Sequence, residues 1–310
     1  MKIFIPEVNE SWIVDRFRQE FYKYNDDITS NNIIDSDIIW ILAPWVWKNI
    51  PKKYLKNKKV ICTIHHFENK DFEKKGLKIF YSLDKFVDEY HVISKLPFNQ
   101  IKTLTTKKVT KIPFWVNQNL WFEISDKLSI RKKHSIEFND FVIGSFQRDT
   151  EGKDLKSPKL IKGPDRFVEI IKKFQHKDPL ILLTGKRRQY LIKQLQNLNV
   201  RFKYLEMVDL KDLNELYNCL NLYIVSSRIE GGPQSILECA ASKTPIISTN
   251  VGIASEILSK KSIFNMNNFE KAIPDVNFAF HNVAPLIIPL GFERFIDMFN
   301  LIYNEKGLKK

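Results

Sequence analysis

Two glutamates separated by seven residues stand in the stretch from Ser226 to Gly252, S-S-R-I-E-G-G-P-Q-S-I-L-E-C-A-A-S-K-T-P-I-I-S-T-N-V-G. Directly after Glu230 come Gly231 and Gly232, which leave the backbone bare, so its N–H groups can approach a ligand closely. Pro233 suits a first helical turn, where its missing N–H is no loss. A helix running on from there through Gln234, Ser235 and Glu238 aims free amides and a partial positive charge at the glycines, chemistry that suits a phosphate. Glu238 then lies roughly two turns into that helix. Both carboxylates can face one crevice at the carboxyl end of a parallel sheet. Spacing alone leaves a plainer alternative open, a βαβ unit with one loop glutamate and one exposed helix glutamate.

The flanking elements fit this placement. Asn221–Val225 and Pro245–Ser248 read as buried strands on either side of the helix. Upstream, Phe141–Phe146, Leu180–Leu183 and Val200–Leu205 are further apolar runs. They alternate with a helix opening at Pro164, whose Phe167, Ile170, Ile171 and Phe174 share one face, and with helices at Gln189–Asn197 and Leu210–Cys219. Regular strand–helix alternation predicts a doubly wound parallel sheet. The first half repeats the pattern, with strands at Lys2–Pro6, Asp37–Ala43, Val60–Ile64, Glu89–Ser94 and Val109–Val116. A helix over Glu10–Tyr24 is read from Trp12, Ile13, Phe17, Phe21 and Tyr24. The polar stretch Ser125–Asn139 reads as a linker. The expected domains are therefore 1–130 and 131–290, with a last helix, about 291–310, returning to the first.

A chain of 310 residues suits two domains. It has no apolar run near the ~20 residues that span a bilayer, and its amino terminus reads as a strand rather than a secretory signal. Cys62, Cys219 and Cys239 lie in apolar segments, as buried free thiols of a reducing cytoplasm would. The formal charge of +13 is spread along both halves, and no nucleic-acid-binding pattern accompanies it. The expectation is a basic surface for anionic partners, with no nucleic acid. One stretch, Trp45–Lys59, carries Lys48, Lys52, Lys53, Lys56, Lys58 and Lys59 without an acid, beside Trp47, Ile50 and Tyr54. It reads either as an interfacial element on anionic lipid or as a solvated basic helix, interrupted at Pro51, whose aromatics join the core. His65 and His66 follow a strand, but neighbours on a strand point to opposite faces and no third ligand stands near, so no metal site is expected.

With Ser226–Ser227 ahead of it and A-A-S-K-T-P-I-I behind, Glu230-x7-Glu238 resembles the signature of the retaining nucleotide-sugar glycosyltransferases of family 4, usually E-G-x-G-x-x-x-x-E. The second glycine here follows the first directly, and Pro233 stands where the family often has glycine. Thr63-Ile64-His65 resembles the family's T-V-H, with His66 in the next position. Gly144, Arg148 and Lys162–Gly163 resemble G-R-x-x-x-x-K-G, interrupted by E-G-K-D-L-K-S-P-K-L-I, which leaves Lys153, Lys156 and Lys159 as alternatives for the lysine. Ile112–Asn117 resembles the turn leaving the first domain, and Gly252 and Glu256 resemble G-G-x-x-E. The family's glycine-rich loop near the amino terminus has no counterpart in Glu7–Ser11.

The resemblance implies a GT-B-type α/β fold, two Rossmann-like doubly wound parallel-sheet domains facing a cleft. It implies a UDP- or GDP-sugar donor with no cofactor or metal, and transfer with retention to a glycan, lipid-linked glycan or glycolipid. Arg148 and Lys162 would clamp the diphosphate with the amides near Gly231, Gly232, Pro233, Gln234 and Ser235. Glu238 would hold the ribose, Glu230 and His65 the sugar, Gly144 the approach to the phosphates, and Val208 would lie by the base. The expected location is cytoplasmic, with peripheral contact at the inner membrane surface. Two other readings stand beside it: a nucleotide-sugar epimerase of the same fold, and a non-catalytic basic binding protein.

Overall fold

The computed structural model describes residues 1–9 and 13–305. The chain forms two compact units, Met1–Trp115 together with the segment from Ile288 onward, and Val116–Ile287.

In unit 1 five parallel strands lie side by side in chain order: β1 (Ile3–Phe4), β2 (Ile38–Ile41), β3 (Lys59–Ile64), β4 (Glu89–Val92) and β5 (Lys108–Lys111). Every residue of β2 is buried, as expected of a strand covered on both faces. On its free side β1 pairs in parallel with Thr29, where Ile3 N–H donates to Ile28 O at 2.8 Å and Ser30 N–H to Ile3 O at 2.9 Å. The chain thus leaves β1 through α1 (Ile13–Tyr24), touches the sheet at Thr29, and returns past β1 to build β2–β5. That reversal makes the sheet doubly wound, and a one-residue pairing is too short to leave a sequence pattern. Of the expected helix, Glu10, Ser11 and Trp12 lie outside the described residues.

The crossovers from β2 to β5 carry α2 (Lys52–Asn57), α3 (Lys74–Asp84) and α4 (Lys95–Lys102). The neighbours Tyr90 and His91 on β4 point to opposite faces. Tyr90 stacks on Phe80 of α3 with centroids 5.7 Å apart, whereas Trp40, on the side of His91, meets Phe21 of α1 edge-on at 5.4 Å. In the basic stretch, Pro44–Asn49 is a 3-10 turn, and Val46, Trp47, Ile50 and Leu55 are buried. Of its three aromatics Trp47 is buried, Tyr54 is half-buried and Trp45 is 48% exposed, so the stretch shares features of both readings.

Unit 2 begins with α5 (Lys127–Lys133), inside the stretch expected as a linker. Its Arg131 is buried and donates to the carbonyls of Cys219, Phe138 and Asp140 and to Asn221 Oδ1. A polar residue that looks like linker in the sequence here ties α5 to the sheet, and the units divide after Trp115 rather than at 130. The strands are β6 (Val142–Ser145), β7 (Thr150–Glu151), β8 (Ser157–Pro158), β9 (Leu180–Thr184), β10 (Phe202–Leu205), β11 (Leu222–Val225), β12 (Ile246–Thr249) and β13 (Ile263–Phe264). The main sheet is parallel in the order β10-β9-β6-β11-β12-β13. The winding direction reverses between β6 and β11, which is where such sheets open a crevice for ligands at their carboxyl ends. β7 and β8 form a separate antiparallel hairpin from the inserted residues after Arg148.

The helices of unit 2 are α6 (Pro164–Phe174), α7 (Gln189–Asn197), α8 (Leu210–Cys219), α9 (Gln234–Ala241), α10 (Ala254–Ile257) and α11 (Val276–Val283). Phe167, Ile170 and Ile171 of α6 close over Ile143, Ile181 and Leu183 of the sheet. The last helix, α12 (Leu290–Asn304), belongs to unit 1. Its Phe292, Phe295 and Phe299 pack on Trp115, Trp40 and Phe21. All three cysteines are buried and unbridged. Among the described residues no helix is long and apolar enough to cross a membrane.

Candidate functional site

The loops after β6 and β11 meet at the reversal point of the unit 2 sheet. Ser226 and Ser227, directly after β11, are wholly buried. Ser226 Oγ donates to Gly163 O at 2.8 Å, while Arg228 N–H and Ile229 N–H donate to Ile161 O at 2.8 and 3.2 Å. Gly163 has φ +63, and a Cβ there would lie 2.0 Å from Ser226 O. Only glycine lets these two loops touch, and the contact delivers the neighbouring Lys162 to the site. Lys162 Nζ then reaches Glu230 Oε1 at 2.6 Å, and Ser227 Oγ donates to the same oxygen at 3.0 Å. Gln147 braces the lysine backbone, donating from Nε2 to Lys162 O at 3.0 Å. Glu230 is 5% exposed, a depth at which a carboxylate needs such partners.

Two residues 68 positions apart, both expected at the site, are therefore in direct contact. Of the competing lysines, Lys153 and Lys156 project from the exposed β7–β8 hairpin. Lys159 is half-buried, and its N–H donates to Asp149 O at 2.7 Å. Arg148, at the base of the hairpin, is exposed, and its Nε donates to Thr150 O at 2.9 Å.

On the other side of the loop, Pro233 is the N-cap of α9, its φ of −61 and ψ of 116 placing it just outside the helix rather than in its first turn. Its carbonyl still accepts from Ile236 N–H at 3.0 Å. Gly252, with φ +54, lets its own loop press on this one, since a Cβ would come within 2.8 Å of both Gly231 O and Pro233 Cδ. Gln234, the first residue of α9, is unusual: both polar atoms of its carboxamide are shut off from solvent without a hydrogen-bond partner. Such groups are rare because each costs about 1–3 kcal/mol. Glu238, 6% exposed, accepts from Tyr217 Oη at 2.8 Å. Burial, with the carboxylate beside it, raises the Tyr217 pKa far above the ordinary phenol value, so the hydroxyl stays a donor.

Gly144 has a packing reason to be glycine, because a Cβ would strike Leu220 Cδ1 at 2.4 Å. Val208 lies half-buried in the loop after β10. In unit 1 His65 directly follows β3; its ring is half-buried, its Nε2 donates to Leu42 O at 2.9 Å, and it lies over Phe114 with centroids 6.1 Å apart. Burial pushes its pKa down to about 4, with His66 adding to the effect, so the imidazole is neutral at pH 7. His66 faces Glu68 at 3.9 Å.

Sequence reasoning missed Arg188. Its side chain is wholly buried and paired with Asp149 at 2.5 Å, and it donates to the carbonyls of Ser145 and Thr184 at 2.6 and 2.7 Å. It clamps together the carboxyl ends of β6 and β9. In the sequence it is the second arginine of K-R-R, and the adjacent polar strand ends were its only signal. Among the described residues one grouping has metal-ligand spacing, His134, Asp212 and Glu215. Lys133 Nζ sits between the two carboxylates, at 2.7 and 2.6 Å, and already occupies the position a cation would take.

Residues 157–279, which carry Lys162, Glu230 and Glu238, match the family described as glycosyl transferases group 1. Among solved structures, HepE of Anabaena in complex with UDP and glucose superposes with a TM-score of 0.78 at 13% identity, covering 97% of this chain and 100% of that one. The fold is GT-B. Sucrose-phosphate synthase from Thermosynechococcus elongatus gives a TM-score of 0.65 at 16% identity over 94% of this chain and 76% of its own. A glycosyltransferase from Rickettsia africae gives 0.65 at 17% over 97% and 84%. No curated protein sequence matches the chain.

Proposed function

We propose that this GT-B protein moves a sugar from a nucleoside-diphosphate sugar to an acceptor with retention at the anomeric carbon, a glycosyltransferase of the family 4 kind needing no cofactor or metal. The reading rests above all on the Lys162–Glu230 contact, at the reversal point of a sheet whose residues 157–279 match a glycosyltransferase family. HepE, of similar fold, binds UDP and UDP-glucose, which favours a uridine nucleotide over a guanosine one.

In this mechanism the diphosphate competes with Glu230 for Lys162. As the phosphates arrive, the ammonium turns to them, and Glu230 becomes an acceptor for a sugar hydroxyl. Arg148, whose Nε alone is engaged, supplies a forked partner for phosphate oxygens. The first-turn amides of α9 add donors. Charge developing on the departing diphosphate thus meets fixed positive groups, usually the largest catalytic contribution. Glu238, held by Tyr217, accepts from the ribose, and the base lies near Val208. The carboxamide of Gln234, with one donor and one acceptor end, pairs with a group that offers both, such as a sugar hydroxyl. His65 of unit 1, neutral, suits a hydroxyl partner rather than an anion. The acceptor is a glycan or a lipid-linked glycan.

Thermal-shift measurements with UDP, GDP and their sugars test this first, since a ligand that binds only the folded state raises apparent stability. A clear upward shift with UDP and transfer from a UDP-sugar are expected, with NMR of the product showing the donor's anomeric configuration. No shift with any nucleoside diphosphate would sink the reading.

A further inference from the structure

Between Pro44 and Lys111 the chain has sixteen lysines, no arginine and six acids. Burial makes the imbalance greater at the surface. Twelve of the lysines are exposed: 48, 52, 53, 56, 70, 74, 75, 78, 85, 95, 102 and 108. Of the acids only Glu73 is exposed. The other five are buried or half-buried; Glu68, Asp84 and Glu89 engage lysines, and Asp88 accepts from Val60 N–H. The charge that the sequence spreads over both halves is therefore one-sided in unit 1. Parallel strands laid in one direction with right-handed crossovers put α2, α3 and α4 on a single face, the face marked by Phe80 on Tyr90 and opposite the one α1 covers. Apolar tips stand among the lysines: Trp45, Phe72, Ile79, Tyr81 and Leu96 are 38–48% exposed.

We propose that this α2–α3–α4 face docks on a bilayer bearing anionic lipid headgroups. Lysines carry the attraction to the negative surface. Trp45 and Tyr81 suit the headgroup level, while Ile79 and Leu96 enter the acyl boundary. The occupant is a lipid surface rather than a nucleic acid because every cation is lysine, without the forked arginine that reads base edges. Exposed aliphatic tips also have no base to stack on. The surface extends well beyond Trp45–Lys59, whose apolar residues are mostly buried. The proposal goes beyond the transfer reading and does not depend on it.

Co-sedimentation of the full chain with vesicles tests it. Binding to phosphatidylcholine vesicles containing phosphatidylglycerol is expected, with little to phosphatidylcholine alone. The variant Lys52→Gln/Lys74→Gln/Lys75→Gln/Lys78→Gln should bind on the order of a thousandfold more weakly, with its melting temperature and any UDP-induced shift unchanged. Ile79→Ser/Tyr81→Ser should remove the part of the binding that persists in high salt. Equal binding to both vesicle types, a quadruple variant that binds like the parent, or single-stranded RNA displacing the vesicles at equal ionic strength would each overturn the proposal. If no nucleoside diphosphate binds the parent chain, the transfer reading falls while this one stands.

Discussion

Lys162 and Glu230 neutralise each other at 2.6 Å, so neither can be removed alone without leaving a shielded charge. Lys162→Met should lower stability by ~1–3 kcal/mol and weaken UDP binding at least tenfold. Lys162→Met/Glu230→Gln should cost less than the two single changes added, because the interaction is lost only once; denaturant midpoints of the four proteins measure this. Gln234 behaves oppositely. Gln234→Leu removes two unpaired polar atoms and should leave the ligand-free protein as stable or ~1 kcal/mol more stable, while weakening binding of the UDP-sugar more than that of UDP. A fall in melting temperature together with unchanged affinity would refute that role. At this scale Glu230 and Glu238 drew notice by their spacing and Lys162 by the resemblance, and the structure brings Lys162 and Glu230 into contact. That Lys162 rather than Lys159 or Lys156 meets Glu230 was not legible in the sequence, because the choice is made by the backbone contact at Gly163, 63 positions from Ser226.

The elements that aim these side chains are held by two devices at the carboxyl end of the unit 2 sheet. One is the glycine contact of Gly163 with Ser226. Gly163→Ala forces a left-handed residue with its Cβ against a carbonyl, and should cost more than ~1 kcal/mol while abolishing UDP-induced stabilisation. The other is Arg188, whose replacement by Met leaves Asp149 buried without its cation. The expected loss is ~3–5 kcal/mol, measurable as a drop in denaturant midpoint. The longer strands were legible, since Leu180–Leu183 carries only buried apolar residues and Val60–Ile64 breaks its apolar run only at Thr63. The β7–β8 hairpin and the Thr29 pairing were not, being two residues and one residue long. Arg131 and Arg188 misled for one shared reason: a guanidinium satisfied by carbonyls reads in sequence like one in water.

For the whole molecule, unit 1 hides two neutral imidazoles, and this sets its response to acid. Burial lowers His65 to about 4 and His91 to about 3, below the ~6.5 of an unfolded chain. Between those values the unfolded state binds more protons, so stability is complete above pH 6.5 and falls as the pH drops towards 4, by up to ~1.4 kcal/mol per pH unit for each ring. Urea unfolding at pH 7 and pH 5 should show the decline; equal midpoints would refute it. The charge excess was legible in sequence, but its one-sided display needed the knowledge of which acids are buried. The return of α12 has a further consequence, for the order in which the chain becomes native. Phe292, Phe295 and Phe299 close a core whose other members, Phe21, Trp40 and Trp115, are synthesised long before them. The earlier strands of unit 1 must wait, greasy and open, until Phe299 has been made, while Val116–Ile287, one unbroken stretch of chain, can finish without it.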